Sequence, residues 1–181
     1  MALGATIYNI EVALSDVDRG VYETLDLRVA RHPSESARYL VTRTLAYALS
    51  YEEGISFSKG GLSTSEEPPV QVHDMTGIFM AWIDVGAPSA ERLHKASKAA
   101  RRVALFTHVD ATLLLREARS RPVHKLEAIE VTLIPAAFLE SVEASLERRT
   151  ALEITRTSGA LYVTIEGKTH EGQLTHLSLA E

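Results

Sequence analysis

Residues Ile78-Phe79-Met80-Ala81-Trp82-Ile83-Asp84-Val85-Gly86 set the frame for the rest of the chain. From Ile78 to Ile83 bulky apolar side chains run together without alternation, as in a strand covered on both faces. Asp84 stands directly after that run, and a carboxylate in such a place needs solvent or a partner. Downstream, Gly86 and Pro88 break the strand. Ser89 is then an N-cap for a helix over Ala90 to Arg102, which leads into a strand over Val103 to Thr107. Upstream, Asp74-Met75-Thr76-Gly77 has aspartate first and glycine fourth, as a type I turn prefers, with short strands at Ile55 to Ser58 and Val70 to Val72 before it. Further upstream, Pro33 suits the first turn of a helix over Pro33 to Tyr51. Its apolar positions Tyr39, Leu40, Leu45, Ala46 and Leu49 recur at helical spacing. The order around the quoted run is therefore helix, three strands, helix, strand.

The flanks add more strands than helices. Ala5 to Leu14 and Tyr22 to Ala30 alternate apolar with polar residues on either side of the polar Ser15 to Gly20, which predicts a β-hairpin. After Thr107 the pattern gives a helix (Ala111 to Ala118), a strand (Leu126 to Ile134) and a helix (Ala136 to Leu146). Strands near Ala151 to Arg156, Leu161 to Glu166 and Leu174 to Leu179 follow, with turns at Gly159 and Gly167. Elements of both kinds in one chain imply an α/β fold with a mixed central sheet and flanking helices.

Bulk properties limit what any motif can mean. A chain of 181 residues favours one domain spanning 1–181, and a domain of this size buries roughly 70% of the surface its unfolded chain exposes. With no cysteine, disulfides, thiolate zinc sites and cysteine nucleophiles are excluded, and any metal must sit on oxygen or histidine. The N-terminus lacks a basic stretch followed by an apolar run, and nowhere do ~18 uncharged apolar residues follow one another, so a cytoplasmic location without membrane insertion is expected. A formal charge of −5 argues against a general nucleic-acid coat and confines any polyanion binding to a local patch. The glycine- and serine-rich stretch from Lys59 to Pro69 reads as a mobile loop inside the domain. The histidines show no HExxH spacing, and no Walker A, G-x-S-x-G or dinucleotide fingerprint occurs.

Four stretches carry a resemblance: MALGATIY at the start, Ala30-Arg31-His32-Pro33-Ser34-Glu35, Trp82-Ile83-Asp84-Val85-Gly86, and Arg92-Leu93-His94-Lys95-Ala96. In order and spacing they resemble the bacterial YaeQ family. That resemblance implies a variant of the PD-(D/E)XK, restriction-endonuclease-like core, with an N-terminal β-hairpin and a C-terminal β-rich extension. In active enzymes of that superfamily, acids on neighbouring strands hold Mg²⁺ and a lysine helps to position or activate water.

Mg²⁺ takes a few carboxylates and keeps several waters, so the acids that could meet are the ones that matter. If Asp74 to Gly77 is a tight hairpin turn, Asp84 faces Glu67, with β-carbons about 5 Å apart. Glu67 and Asp84 are thus the candidate metal ligands. A capping role for Asp84 at the next helix, and a solvated loop position for Glu67, are the plainer alternatives. Glu35 falls in the first turn of the first helix, where a carboxylate complements the dipole; the resemblance makes it a third acid, with Ser34 and Arg43 as subsidiary candidates. The usual lysine two residues after the strand acid is absent, because Gly86 stands there, and Lys95 is the substitute. The acid that the resemblance implies after the Glu67-Pro68 pair is replaced by Pro69. Arg92, Lys95, Lys98 and Arg102 recur at three- or four-residue intervals and would share a side of the second helix as a phosphate-binding stripe, or simply as a solvated cationic face. Two functions follow. One is a Mg²⁺-dependent phosphodiesterase of nuclease type using Glu35, Glu67, Asp84 and Lys95. The other is a catalytically inactive nuclease-fold scaffold that binds a protein or nucleic-acid partner.

Overall fold

A computed structural model describes residues 4–59 and 66–181, so most of the loop expected from Lys59 to Pro69, and the first three residues, lie outside the described residues. The hairpin forms as β1 (Thr6–Asp16) and β2 (Val21–Arg31). The quoted run becomes β5 (Phe79–Val85), preceded by α1 (Ala37–Leu49), β3 (Ile55–Phe57) and β4 (Val70–His73), and followed by α2 (Ala90–Ala99) and β6 (Arg102–Thr107). The rest is α3 (Ala111–Ala118), β7 (Glu130–Leu133), α4 (Ala136–Glu143), β8 (Arg149–Thr157), β9 (Ala160–Ile165), β10 (Lys168–Gln173) and β11 (Thr175–Leu177).

The strands divide between two mixed sheets, not one. Six strands lie in the order β11-β7-β6-β5-β4-β3, and β5 sits inside, antiparallel to β4 and parallel to β6. The hairpin and the C-terminal extension, expected as separate additions, join in a second sheet of order β10-β9-β8-β1-β2, with β8 running parallel to β1. An isolated hairpin is marginal in water and leaves an edge unpaired, and β8 covers that edge of β1. One face of this sheet is apolar, carrying Ile10, Val12, Leu14, Leu25, Leu27, Val29, Ile154 and Val163.

That face and the inner face of the six-stranded sheet share α1. Nearly every residue of α1 from Leu40 to Leu49 is buried, as expected of a helix covered all round rather than on one stripe. The larger core joins Ile10, Val12 and Leu152 to Leu40 and Leu45, and those to Ala81, Ile83 and Phe106. A second cluster covers the other face of the six-stranded sheet, where Trp82, Val103, Leu105 and Val131 meet Leu93 and Ala96 of α2 and Leu114 of α3. Successive residues of β5 thus serve both clusters, which is why its sequence does not alternate.

Several expected boundaries move. Ser36, not a residue near Pro33, caps α1 by accepting a hydrogen bond from Tyr39 N at 3.0 Å, so Glu35 lies in the turn before the helix. α2 ends at Ala99, and Arg102 belongs to β6. The strand expected over Leu126 to Ile134 opens with a 3-10 turn at Leu126–Ala128. β10 was not foreseen, because Lys168–Gln173 is polar and mostly exposed.

The β4–β5 register also departs from the tight-turn expectation. Asp74 Oδ1 accepts from Thr76 N and Ile78 N at 2.8 and 2.9 Å, Asp74 N donates to Ile78 O, and Gly77 adopts φ +84°. This is a type I turn followed by a left-handed glycine, the arrangement that inserts a bulge residue. A second irregularity falls between Val72 and His73, and beyond it Val70 pairs with Ile83. One step further, the register sets Asp84 against Pro69, two residues from Glu67.

Candidate functional site

Asp84 ends β5 on the side of the sheet that α2 covers, two residues after Trp82 and so on the same face. Its side chain is buried to 3% exposure, yet the carboxylate is fully engaged. Trp82 Nε1 donates to Oδ2 at 3.1 Å, and Val85 N donates to Oδ1 at 3.1 Å. Arg92, in the first turn of α2 behind the Ser89 cap, donates through Nε to Oδ2 at 2.6 Å and through Nη2 to Oδ1 at 3.3 Å. This two-pronged pairing is the strong, directional mode of guanidinium–carboxylate contact. The same guanidinium lies 5.3 Å from the Trp82 ring centroid, so the indole supports it as a cation–π partner. Arg92 Nη2 also donates to the main-chain carbonyl of Glu67 at 3.1 Å.

A second carboxylate–arginine pair lies at the start of α1. Glu35 is 2% exposed, and Arg43 Nη2 donates to its Oε1 and Oε2 at 2.8 and 3.1 Å, while His32 N donates to Oε2. Arg43 further donates to Ala30 O at 2.8 Å and lies 5.5 Å from the Phe57 ring centroid. Burial pushes the Glu35 carboxyl up, and the Arg43 charge opposes that shift. Tyr39, in the first turn of α1, carries a shifted phenol. Its phenol is pushed up to about 12, first by burial, then by the charge of Asp84, with Glu35 adding to the rise and Arg43 and Arg92 opposing it. Tyr39 is therefore the group that feels both acids.

The other expected residues lie around these groups. Glu67 is exposed and offers its main chain to Arg92; it does not face Asp84 in the ladder. Lys95 forms an ion pair with Glu66 on the exposed side of α2. Lys98 is exposed in the last turn of α2. Arg102 leaves the stripe altogether, pairing from β6 with Glu52 at 2.8 Å and Glu130 at 3.5 Å. The stripe breaks at Ala100, whose extended backbone ends the helix and turns the chain into β6. Sequence reading missed Tyr39 as a functional group and gave Arg43 only a subsidiary place. A polar residue within an otherwise apolar helical pattern was the available signal.

Gly86 follows Asp84 by two residues at a sharp bend. It adopts φ +88° and donates to Phe106 O at 3.0 Å, a left-handed bend that an L side chain takes up only under strain. The donor set also fits Mg²⁺ poorly. Both Asp84 oxygens already accept N–H bonds, both Glu35 oxygens do the same, and among the described residues no group of three or more His, Asp or Glu side chains converges. Mg²⁺ prefers a near-octahedral set of oxygens with several waters, and these oxygens are turned to guanidinium instead.

A helix layer enclosed by two mixed sheets, with one arginine-paired acid at the end of an inner strand and another before the first helix, defines an α/β protein with two buried ion pairs. The family described as YaeQ protein matches residues 1–174, and the chain belongs to that family. It is 32% identical over 178 residues to the uncharacterized protein YaeQ of Escherichia coli (strain K12), with 97% of each covered, and 31% identical to that of Salmonella typhi. The crystal structure of YaeQ protein from Pseudomonas syringae superposes with a TM-score of 0.85 at 31% identity, covering 96% of both chains. That from Xanthomonas axonopodis pv. citri gives 0.86 at 25% identity, covering 95% of this chain and 97% of the other. No helix among the described residues is long and apolar enough to cross a membrane.

Proposed function

We propose that α1, β3 to β5, α2 and β6 are a restriction-endonuclease-like core of PD-(D/E)XK type that serves here as a binding scaffold rather than as a hydrolase. The order of these elements supports the core. What carries the second half is Asp84, the strand-end acid, whose two oxygens are held by the Arg92 fork at 2.6 and 3.3 Å. A metal would have to displace that guanidinium, and an arginine is not deprotonated at any working pH. The site therefore starts neutralised, where a nuclease needs free negative charge.

The partner proposed is nucleic acid, held through its phosphates along the outer side of α2. Lys95 and Lys98 stand there with Arg101 just past the helix end, and such a short cationic patch on an acidic protein gives modest, salt-dependent affinity. The hydrolase reading rests on the strand-end acid Asp84 and on Glu35 before α1, two buried acids of the core. Labelled single- and double-stranded DNA and RNA, incubated with the protein with and without Mg²⁺ or Mn²⁺, separate the two. The scaffold predicts intact oligonucleotide and binding that weakens with salt and with Lys98→Glu. Metal-dependent cleavage lost in Asp84→Asn would replace it with the hydrolase. Absence of both cleavage and binding would move the partner to a protein.

A further inference from the structure

At the other end of α1 from the Glu35–Arg43 pair, the two sheets diverge around a cavity of about 310 Å³. The thirteen residues of α1 put it about 20 Å from Glu35, at 1.5 Å of rise per residue. Its floor is apolar: Leu49 at the end of α1, with Ala104 and Phe106 of β6. Its walls are polar and come from both sheets. Phe106 pairs with Thr132 of β7, which pairs with His176 of β11, so these three form one row across the six-stranded sheet. Arg19, in the turn after β1, and Arg156, on β8, close the side facing the other sheet. A volume at the lower end of the range for small-ligand sites, part apolar and part polar, is the usual form of a metabolite pocket.

Three arginines, Arg19, Arg102 and Arg156, line this cavity against two acids, Asp18 and Glu130. Arg156 is 13% exposed on its side chain and sits between two aspartates, its Nη1 3.8 Å from Asp16 Oδ2 and its Nε 3.4 Å from Asp18 Oδ2, long ion pairs that leave the guanidinium short of close, aligned hydrogen bonds. Both aspartates share their charge with closer donors: Asp16 accepts from Arg19 N and Nε, and Asp18 accepts from Ser158 N and Gly159 N at 2.6 and 3.0 Å. Arg19 and Arg102 present further guanidinium N–H groups on the same cavity, and the buried hydroxyls of Ser50 and Thr132 line it. A guanidinium has five N–H donors, so one held only by two long ion pairs can still donate to an incoming acceptor.

We propose that this cavity binds a small phosphate monoester, with the phosphoryl group on Arg156, Ser50 and Thr132 and the body of the molecule on Phe106 and Leu49. Guanidinium and hydroxyl donors from three directions suit three terminal oxygens better than the two of a carboxylate. The apolar floor favours a compact ring-bearing ester over inorganic phosphate alone. Arg102 ties the pocket to Glu52 and Glu130, so a ligand drawing on Arg102 would loosen those exposed pairs and not the buried ones.

The test uses the full chain with AMP, inorganic phosphate and adenosine as probes, by calorimetry and thermal shift. AMP is expected to bind and to be displaced by inorganic phosphate, while adenosine at about 1 mM, which corresponds to only about −4 kcal/mol, stays unbound. Arg156→Gln should weaken AMP at least tenfold. Because Arg156→Gln removes a partly buried charge and could impair folding, Thr132→Val serves as the second variant and should weaken AMP several-fold at unchanged melting temperature. Lys98→Glu on α2 should leave AMP binding intact. The proposal falls if neither AMP nor inorganic phosphate binds, if adenosine binds as well as AMP, or if Thr132→Val and a folded Arg156→Gln bind AMP as tightly as the wild type.

Discussion

Asp84, Arg92 and Tyr39 make the residue-scale account measurable. Arg92 is the only cation donating to Asp84 among the described residues, and removing one partner of a largely buried pair strands the other charge. Arg92→Ala should therefore cost about 2–3 kcal/mol in urea unfolding, less than the roughly 3–5 of a fully buried pair because Arg92 is 22% exposed on its side chain. Asp84→Asn combined with Arg92→Met should recover part of that loss, and additive single effects would mean the two do not act as a pair. Tyr39 reports on the same charge. Its folded value of about 12 against the usual 10.0 means the native state holds its proton longer than the unfolded chain does. Stability from this group is full below pH 10 and lost as pH rises toward 12. Melting temperature should fall across that window, and fall less in Tyr39→Phe; identical alkaline profiles would contradict the burial of the Tyr39 phenol.

Turns and helix ends decided how much of the site could be read at the scale of elements. The cap at Ser89, the inner strand β5 and the acid at its end follow from local chemistry, and they were legible in the residues themselves. The Asp74 to Gly77 turn was also legible, but its left-handed Gly77 adds a bulge residue, and a second irregularity at Val72/His73 follows. Together these move Glu67 away from Asp84, a consequence that no periodicity displays. The partner of Asp84 was misassigned for a related reason: Arg92 reads as one member of a solvated stripe until the helix is docked on the sheet. Gly86 gives the element-scale prediction. Gly86→Lys restores the usual lysine spacing but forces a side chain into φ +88°, so it should destabilise by about 1–2 kcal/mol and create no metal-dependent cleavage. Wild-type stability in that variant would show that the bend tolerates a side chain.

Over the whole molecule, the second sheet is what sequence patterning could not foretell. β1 and β8 pair in parallel across most of the chain's length, from Asn9 against Arg149 to Asp16 against Arg156, and nothing local in either strand names the other. The shared core that links β1 and β8 to α1 and then to β5 and β6 predicts one cooperative unit. Trp82, the single tryptophan, lies in the other cluster, under α2. Its fluorescence and the far-UV signal of all strands should therefore unfold along coincident urea curves; separated transitions would mean that the sheets fold independently. With both acids paired to arginine, Asp84 and Glu35 are expected to bind no divalent metal. Calorimetric titration of Mn²⁺ and Mg²⁺ into the wild type tests that expectation most directly. No saturable binding is expected below about 1 mM, a threshold of roughly 4 kcal/mol. Saturable binding that Asp84→Asn weakens tenfold or more would contradict it.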